Sequence, residues 1–423
     1  MSLNKSTVMN MGIRKRKLKL TEVSPTAGLA LKWHDFLACP FPLTPKHTLE
    51  KKLAKFIGVE DAQVECSGTA ALVVALEALK QLSSRKQVVI SAYTCPWVAL
   101  AVIHCGLTPI VADSRLEHFD YCPDALREAC NQDTLAVVHT HLAGRVADIK
   151  QTLSIARTVG AYIIEDAAQS LGATLEGKSA GLFGDIGFYS LGVGKGLTIF
   201  AGGVLVTENQ LLRQAMKQVG KKLPFSLVFE MRRLIELIAY YWLYRPLGMG
   251  LAFGHHLRKK LKRGQLIQAV GDDCTLNFPL HRVGRWRKGI GARAIHRLER
   301  FFSLTRAQAQ ARVAVLAQIK GLKVIGDDMG GQGVWPFIVM VLPNQKARDA
   351  VLDQLWHQGL GVGRLFIHAI KDYDYLVPYF RRARTPNAQD FAARTLIMSN
   401  SLWLKEKDFM KIHNILTEQL ADV

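Results

Sequence analysis

From about Thr48 to about Val206 the chain alternates between helical and strand-like segments, and this alternation limits its possible folds more than any other feature. Residues 70–80 place Leu72, Leu76 and Leu79 on one helical face. Residues 87–91, 108–112, 135–140 and 161–165 are short β-branched or apolar runs. The pattern predicts a mostly parallel sheet covered by helices. In such sheets functional residues gather beyond the carboxyl ends of the strands, so the segments after these runs are where chemistry is expected.

The rest of the 423 residues divides around that core. Residues 1–45, with Pro25, Pro40, Pro42 and Pro45, read as an N-terminal arm of turns, and 46–210 as the large domain. Residues 271–423 resume regular patterning, with a long helix at 292–316, a strand at 337–341 and helices at 347–358 and 387–397. They suit a smaller α+β domain. Between them, 211–270 stand apart as a basic and apolar helical insertion. Twelve residues of 211–263 are Lys or Arg and only Glu230 and Glu236 oppose them, a net +10 within a chain total of +20. Two uncharged apolar runs, 237–244 and 246–254, are split by Arg245. No internal repeat or low-complexity tract is present.

Such a charge points to an anionic partner: nucleic acid, a phosphorylated small molecule or an acidic membrane face. Seven cysteines, odd in number and without a C-x-x-C pair, indicate neither a disulfide framework nor a zinc site, and no metal is expected. The basic N-terminus lacks a following apolar stretch, so a secretory signal is not expected and a reducing cytosol is the natural location.

Three segments carry chemistry. The strand in AYIIEDAAQ ends in two carboxylates, and Asp166 lies where a parallel sheet presents groups to a ligand. A carboxylate there can hold a protonated pyridine nitrogen, which pyridoxal 5′-phosphate (PLP) requires, or it can cap a following helix. In GDIGFYSLGVGKGLTIFAGGVLVT a strand leads into a Gly-rich loop holding one lysine, Lys195. Its amine can form an imine with an aldehyde and, with its pKa lowered, move a proton. A P-loop is excluded, because glycine is needed at 189 and Ser or Thr at 196, where Tyr189 and Gly196 stand. Finally, Ser67, Gly68 and Thr69 open a helix and form either an anion-binding cup or a simple N-cap.

Together, SGT-x-AL, HLAG at 141–144, EDAAQ, GD-x-G-x-x-S…K and GG-x-x-x-T resemble the DegT/DnrJ/EryC1/StrS family of PLP-dependent sugar aminotransferases. The resemblance runs from about Thr48 to Gly220, fades across 221–290, and returns up to Arg306 and in RTPNAQDFAART. It implies the aspartate-aminotransferase-like PLP fold, type I, with a large, mostly parallel sheet domain and a smaller C-terminal α+β domain. Residue by residue, it implies Lys195 as the Schiff-base lysine and Asp166 as the pyridine partner. Gln169 would face the cofactor's 3′-oxygen, and Gly68, Thr69 and Ser190 would hold its phosphate. Three departures stand out. Cys95 takes the place of the family's ring-stacking aromatic, with Tyr93 and Trp97 nearby. Ala201 replaces a glutamate. The family's Asn-Tyr-Arg-like turn, which reaches the partner subunit, is not evident, so Arg285, Arg287 or Lys288 are its candidate substitutes.

The resemblance implies a homodimeric aminotransferase that moves an amino group from an amino acid, often glutamate, to a keto group on a phosphate-bearing sugar with a nucleotide or lipid carrier. Family dehydratases carry histidine at the lysine position, and Lys195 argues against that chemistry. A non-catalytic binder of anionic polymer or membrane is the rival class, but no nucleic-acid motif is present. For 211–263 the expectation is an interfacial hairpin resting on an anionic membrane face, which would make the protein peripheral there. Arg245-Pro246 interrupts any spanning helix. The competing expectation is that these helices pack on the chain itself or on a second subunit.

Overall fold

The computed structural model describes residues 20–38 and 48–421. Pro40, Pro42, Pro45 and the basic run of residues 14–19 lie outside the described residues.

Seven strands form the main sheet: β1 Gln63–Glu65, β2 Gln87–Ser91, β3 Thr108–Ala112, β4 Thr134–Thr140, β5 Tyr162–Asp166, β6 Ile186–Ser190 and β7 Gly203–Val206. Their order is β1-β7-β6-β5-β4-β2-β3. Strands β3, β2, β4, β5 and β6 pair in parallel, and β7 runs antiparallel to both β6 and β1. The central strands are apolar on both faces because helices cover both sides, so they read as continuous Val/Ile runs rather than alternating ones. Helix Gly68–Lys80 follows the same logic. Nine of its thirteen residues are buried, because it packs between β6, β7 and the helices Pro96–His104 and Gln210–Lys222.

A second sheet joins Lys323–Ile325, Phe337–Val341, Thr395–Ser399 and Val362–Gly363 in that order, all antiparallel. This corrects the helix expected at 387–397. That helix runs Pro386–Arg394, and the next five residues, TLIMS, form a fully buried central strand. The long helix expected at 292–316 starts at Arg285 and is broken by a 3-10 turn at Ile295–Arg297 before continuing as Leu298–Leu316.

Residues 20–31 lie extended against the body. Leu29 donates its N–H to the carbonyl of Gly196, Ala27 to Pro336 and Val23 to Gly359. Asp35, fully buried in the turn Trp33–Ala38, receives both arms of Arg297 at 2.7 and 2.8 Å.

The segment 211–263 is not a hairpin standing off the fold. Helix Leu227–Leu243 lays Leu237 and Tyr240 into the same core cluster as Ala27, Leu29 and Leu31, and Tyr244 follows them there. Helix Gln210–Lys222 packs on Gly68–Lys80. Three of the eight residues of the first apolar run are therefore core. Among the described residues, no helix is long and apolar enough to cross a membrane.

Candidate active site

The parallel strands deliver the candidate residues to one end of the sheet. Asp166 is the last residue of β5, and Thr140, the last of β4, pairs with it across the ladder. No helix follows Asp166, so it is not an N-cap. Its Oδ1 instead accepts the N–H of Ala168 at 3.0 Å in a tight turn. The side chain is buried, and burial pushes its carboxyl up to about 6, with the Ala168 N–H, Lys195 and His141 pulling the other way.

Its neighbour Glu165 points to the opposite face, as alternate strand residues do. There its carboxylate accepts from His141 Nε2 at 2.7 Å, from the N–H of Gly181 at 2.8 Å, and from the N–H of Gly184. Burial alone would raise this carboxyl, but these donors outweigh it and hold it below the ordinary value. His141 accepts the Ala147 N–H at Nδ1, which leaves Nε2–H as the donor to Glu165, and its backbone N–H reaches the carbonyl of Asp166. The pair fixes the turn beside Asp166 from behind.

Lys195 sits between Gly194 and Gly196, whose φ of +74° and +77° only glycine adopts without strain. Burial lowers the pKa of its amine, while Cys95 and Asp166 raise it. Lys195 and Asp166 thus lie within each other's electrostatic reach. Ser190, at the end of β6, accepts the Gly192 N–H at 3.2 Å and keeps its own O–H to donate. A Cβ on Gly68 would come 3.4 Å from that of Ser190, so the cup and the serine adjoin.

In the cup, Ser67 does act as N-cap, its Oγ taking the Ala70 N–H at 2.9 Å and its carbonyl the Ala71 N–H. The N–H groups of Gly68 and Thr69 precede the first intrahelical bonds and remain for an anion. Gln169 accepts the N–H of Ala143 at 2.9 Å, which leaves its NH2 as the group it can offer. Ala143 itself has φ +62°, an uncommon backbone for alanine that turns its N–H toward Gln169.

The structure assigns the doubtful positions differently. Tyr93 is core, packed edge-on against Phe366 and Phe391 at 5.4 and 4.9 Å between ring centroids. Trp97 meets Phe278 edge-on at 5.7 Å. Cys95 is the one of the three within reach of Lys195 and Asp166, and burial pushes its thiol up to about 12, so it stays neutral. Arg287 is no substitute for a subunit-bridging arginine. It is buried against Glu230, with Nε at 3.1 Å from Oε2 and a second, shorter contact between Nη2 and Oε1, and it also donates to the carbonyls of Ile199 and Ala201. Lys288 pairs with Glu50. Arg285 remains exposed.

Comparison with known proteins finds a family match over part of the chain. Residues 45–223 match the model of the DegT/DnrJ/EryC1/StrS aminotransferase family. The match covers less than half of the chain. Within this part the chain is 34% identical over 173 residues to Protein MosB of Rhizobium meliloti, covering 41% of this chain and 34% of that protein. It is 32% identical over 168 residues to the GDP-perosamine synthase of Caulobacter vibrioides, covering 40% and 45%. The chain therefore matches less than half the length of these relatives. The fold as a whole resembles Helicobacter pylori PseC, an aminotransferase involved in pseudoaminic acid biosynthesis, with TM-score 0.73, 16% identity and coverage of 95% and 100%. It also resembles the sugar aminotransferase CalS13 of Micromonospora echinospora, with TM-score 0.71, 17% identity and coverage of 95% and 99%. The family match ends at 223, just before the helix Leu227–Leu243 begins.

PLP, the cofactor of this family's aminotransferases, fits the donor set. The site has a buried carboxylate for a pyridine nitrogen, an amine whose pKa burial lowers, and an anion cup whose Gly68 leaves room beside Ser190.

Proposed function

We propose that the chain is a PLP-dependent aminotransferase that moves an amino group from an amino acid, glutamate by preference, to a keto group of a phosphate-bearing sugar on a nucleotide or lipid carrier. The observation that carries this reading is the meeting of Asp166 and Lys195 at the carboxyl end of the parallel sheet, each shifting the other's titration. Bound there, PLP supplies an aldehyde for amines and a ring that withdraws electrons from the carbon bearing the nitrogen.

The chain's own residues supply the rest. Asp166, with its carboxyl held near 6 by burial, would hold a proton on the pyridine nitrogen of the bound cofactor. Lys195 Nζ, its pKa lowered by burial, would take a proton from the amine-bearing carbon of the donor and return it elsewhere. Gly68, Thr69 and Ser190 would receive the phosphate, and the NH2 of Gln169 would donate to the ring oxygen. Cys95 would stand beside the ring where the family places an aromatic. The proposed enzyme is a homodimer.

The test is amino-group transfer by the PLP-loaded protein. Glutamate should bleach the visible absorbance of the holoprotein, and a keto-sugar nucleotide should restore it. Bleaching that only non-sugar acceptors reverse would keep the aminotransferase and overturn the sugar.

A further inference from the structure

Helix Leu227–Leu243 buries one face and exposes an apolar row on the other. Glu230, Leu237 and Tyr240 point inward, whereas Val228, Met231, Ile235, Ile238 and Trp242 recur at three- and four-residue spacing on the outer side. Val228 is 79% exposed, Ile235 63% and Trp242 67%. Leu247 and Leu251 extend the exposed apolar surface beyond Arg245. Folded soluble chains rarely leave a row of this size uncovered.

At the start of the helix the row runs into a groove of about 1040 Å³. One wall is apolar, from Phe225, Leu227 and Met231. The other carries Lys221, Arg282 and Arg285, none of which has a carboxylate at ion-pair distance among the described residues. Lys217, Arg287 and Lys288 in the same groove are paired, to Asp61, Glu230 and Glu50. The face is thus apolar with an uncompensated cationic margin at Lys221, Arg282 and Arg285, whereas Arg232, at the edge of the row, is paired with Glu236.

That charge selects the occupant. The three cations without carboxylate partners call for anionic groups beside an apolar layer, which phosphate headgroups over acyl chains supply. We propose that the face docks on a bilayer containing anionic lipid, with the apolar row at the acyl boundary and Lys221, Arg282 and Arg285 against phosphate headgroups. One helix diameter, about 10 Å, separates the row from residues 26–29, which accept from Tyr240 and Tyr244 and donate, through the Leu29 N–H, to Gly196 of the Lys195 loop. Docking would hold the candidate site close to the surface.

The experiment is flotation of the full chain with phosphatidylcholine vesicles and with vesicles that also contain phosphatidylglycerol, at low and high salt. The expected result is binding to the anionic vesicles that weakens with salt. A double variant, Ile235→Asp with Trp242→Asp, changes only exposed side chains and should bind roughly tenfold more weakly while melting at the same temperature. Lys221→Glu with Arg285→Glu should remove the preference for phosphatidylglycerol. Absent flotation, or equal flotation of the wild type and the Asp variant, would overturn the proposal. So would a fall in sedimenting mass caused by the Asp pair without lipid, which would make the face a contact between copies.

Discussion

The hydroxyl of Tyr244 donates a 3.0 Å hydrogen bond to the carbonyl of Thr26, the residue whose own hydroxyl occupies the space beside Gly194. A Cβ on Gly194 would come within 1.8 Å of that hydroxyl oxygen, so the arm and the lysine loop are in contact. Tyr240 repeats the device one turn earlier, with its hydroxyl on the carbonyl of Leu29, whose N–H in turn binds Gly196. The helix that follows the family-matched region thereby braces the loop that carries Lys195. Tyr244→Phe should cost about 1 kcal/mol in urea unfolding and slow turnover a few-fold at unchanged cofactor content. Unaltered kinetics would leave the tyrosine a packing residue only.

Glu230 and Arg287 form a buried ion pair at the base of the groove, with His281 at 3.7 Å from the same carboxylate. Removing one partner leaves the other buried and uncompensated. Arg287→Met should therefore destabilise by about 3–5 kcal/mol. Adding Glu230→Leu should restore most of the loss, because the pair can be replaced by apolar groups. Urea melts of the three proteins check this, and a double variant no better than the single would mean that the carbonyl bonds to Ile199 and Ala201 matter more than the charge.

Without cofactor, burial holds the Asp166 carboxyl at about 6 against an ordinary value of 3.8. Between these values the folded chain binds more protons than the unfolded chain, so stability falls as pH rises through that window and levels off above it. The expected drop is on the order of 3 kcal/mol. Asp166→Asn should flatten the profile of the cofactor-free protein and, in the holoprotein, lower turnover at least tenfold, about 1.4 kcal/mol of barrier. A variant that keeps both the pH slope and the rate would make Asp166 a turn residue.

Much of the fold was legible because the central strands are short buried runs bounded by turns: 87–91 and 108–112 form strands with those limits. The helix of 387–397 was overextended because TLIMS follows PNAQDFAAR without a Gly or Pro, and only pairing with Phe337–Val341 draws it into a sheet. The residues of the candidate site were legible from motif spacing, and the structure brings Gly68, Asp166, Ser190 and Lys195 to one end of the sheet. Arg285, Arg287 and Lys288 could not be told apart, since nothing local shows that Arg287 is the cation that reaches a glutamate 57 residues away. Tyr240 and Tyr244 were hidden inside a run that reads as undifferentiated apolar surface. Their hydroxyls acquire meaning only once residues 26–29 lie beside them.

The central claim is that Lys195 is the residue that takes the cofactor. The direct measurement is borohydride reduction of the PLP-loaded protein, followed by proteolysis and mass spectrometry of the modified peptide. The account predicts one pyridoxyl group per chain, on the peptide that contains Lys195, and none in Lys195→Ala, whose fold is retained. A single modified site elsewhere, or an unchanged yield from the alanine variant, would contradict it.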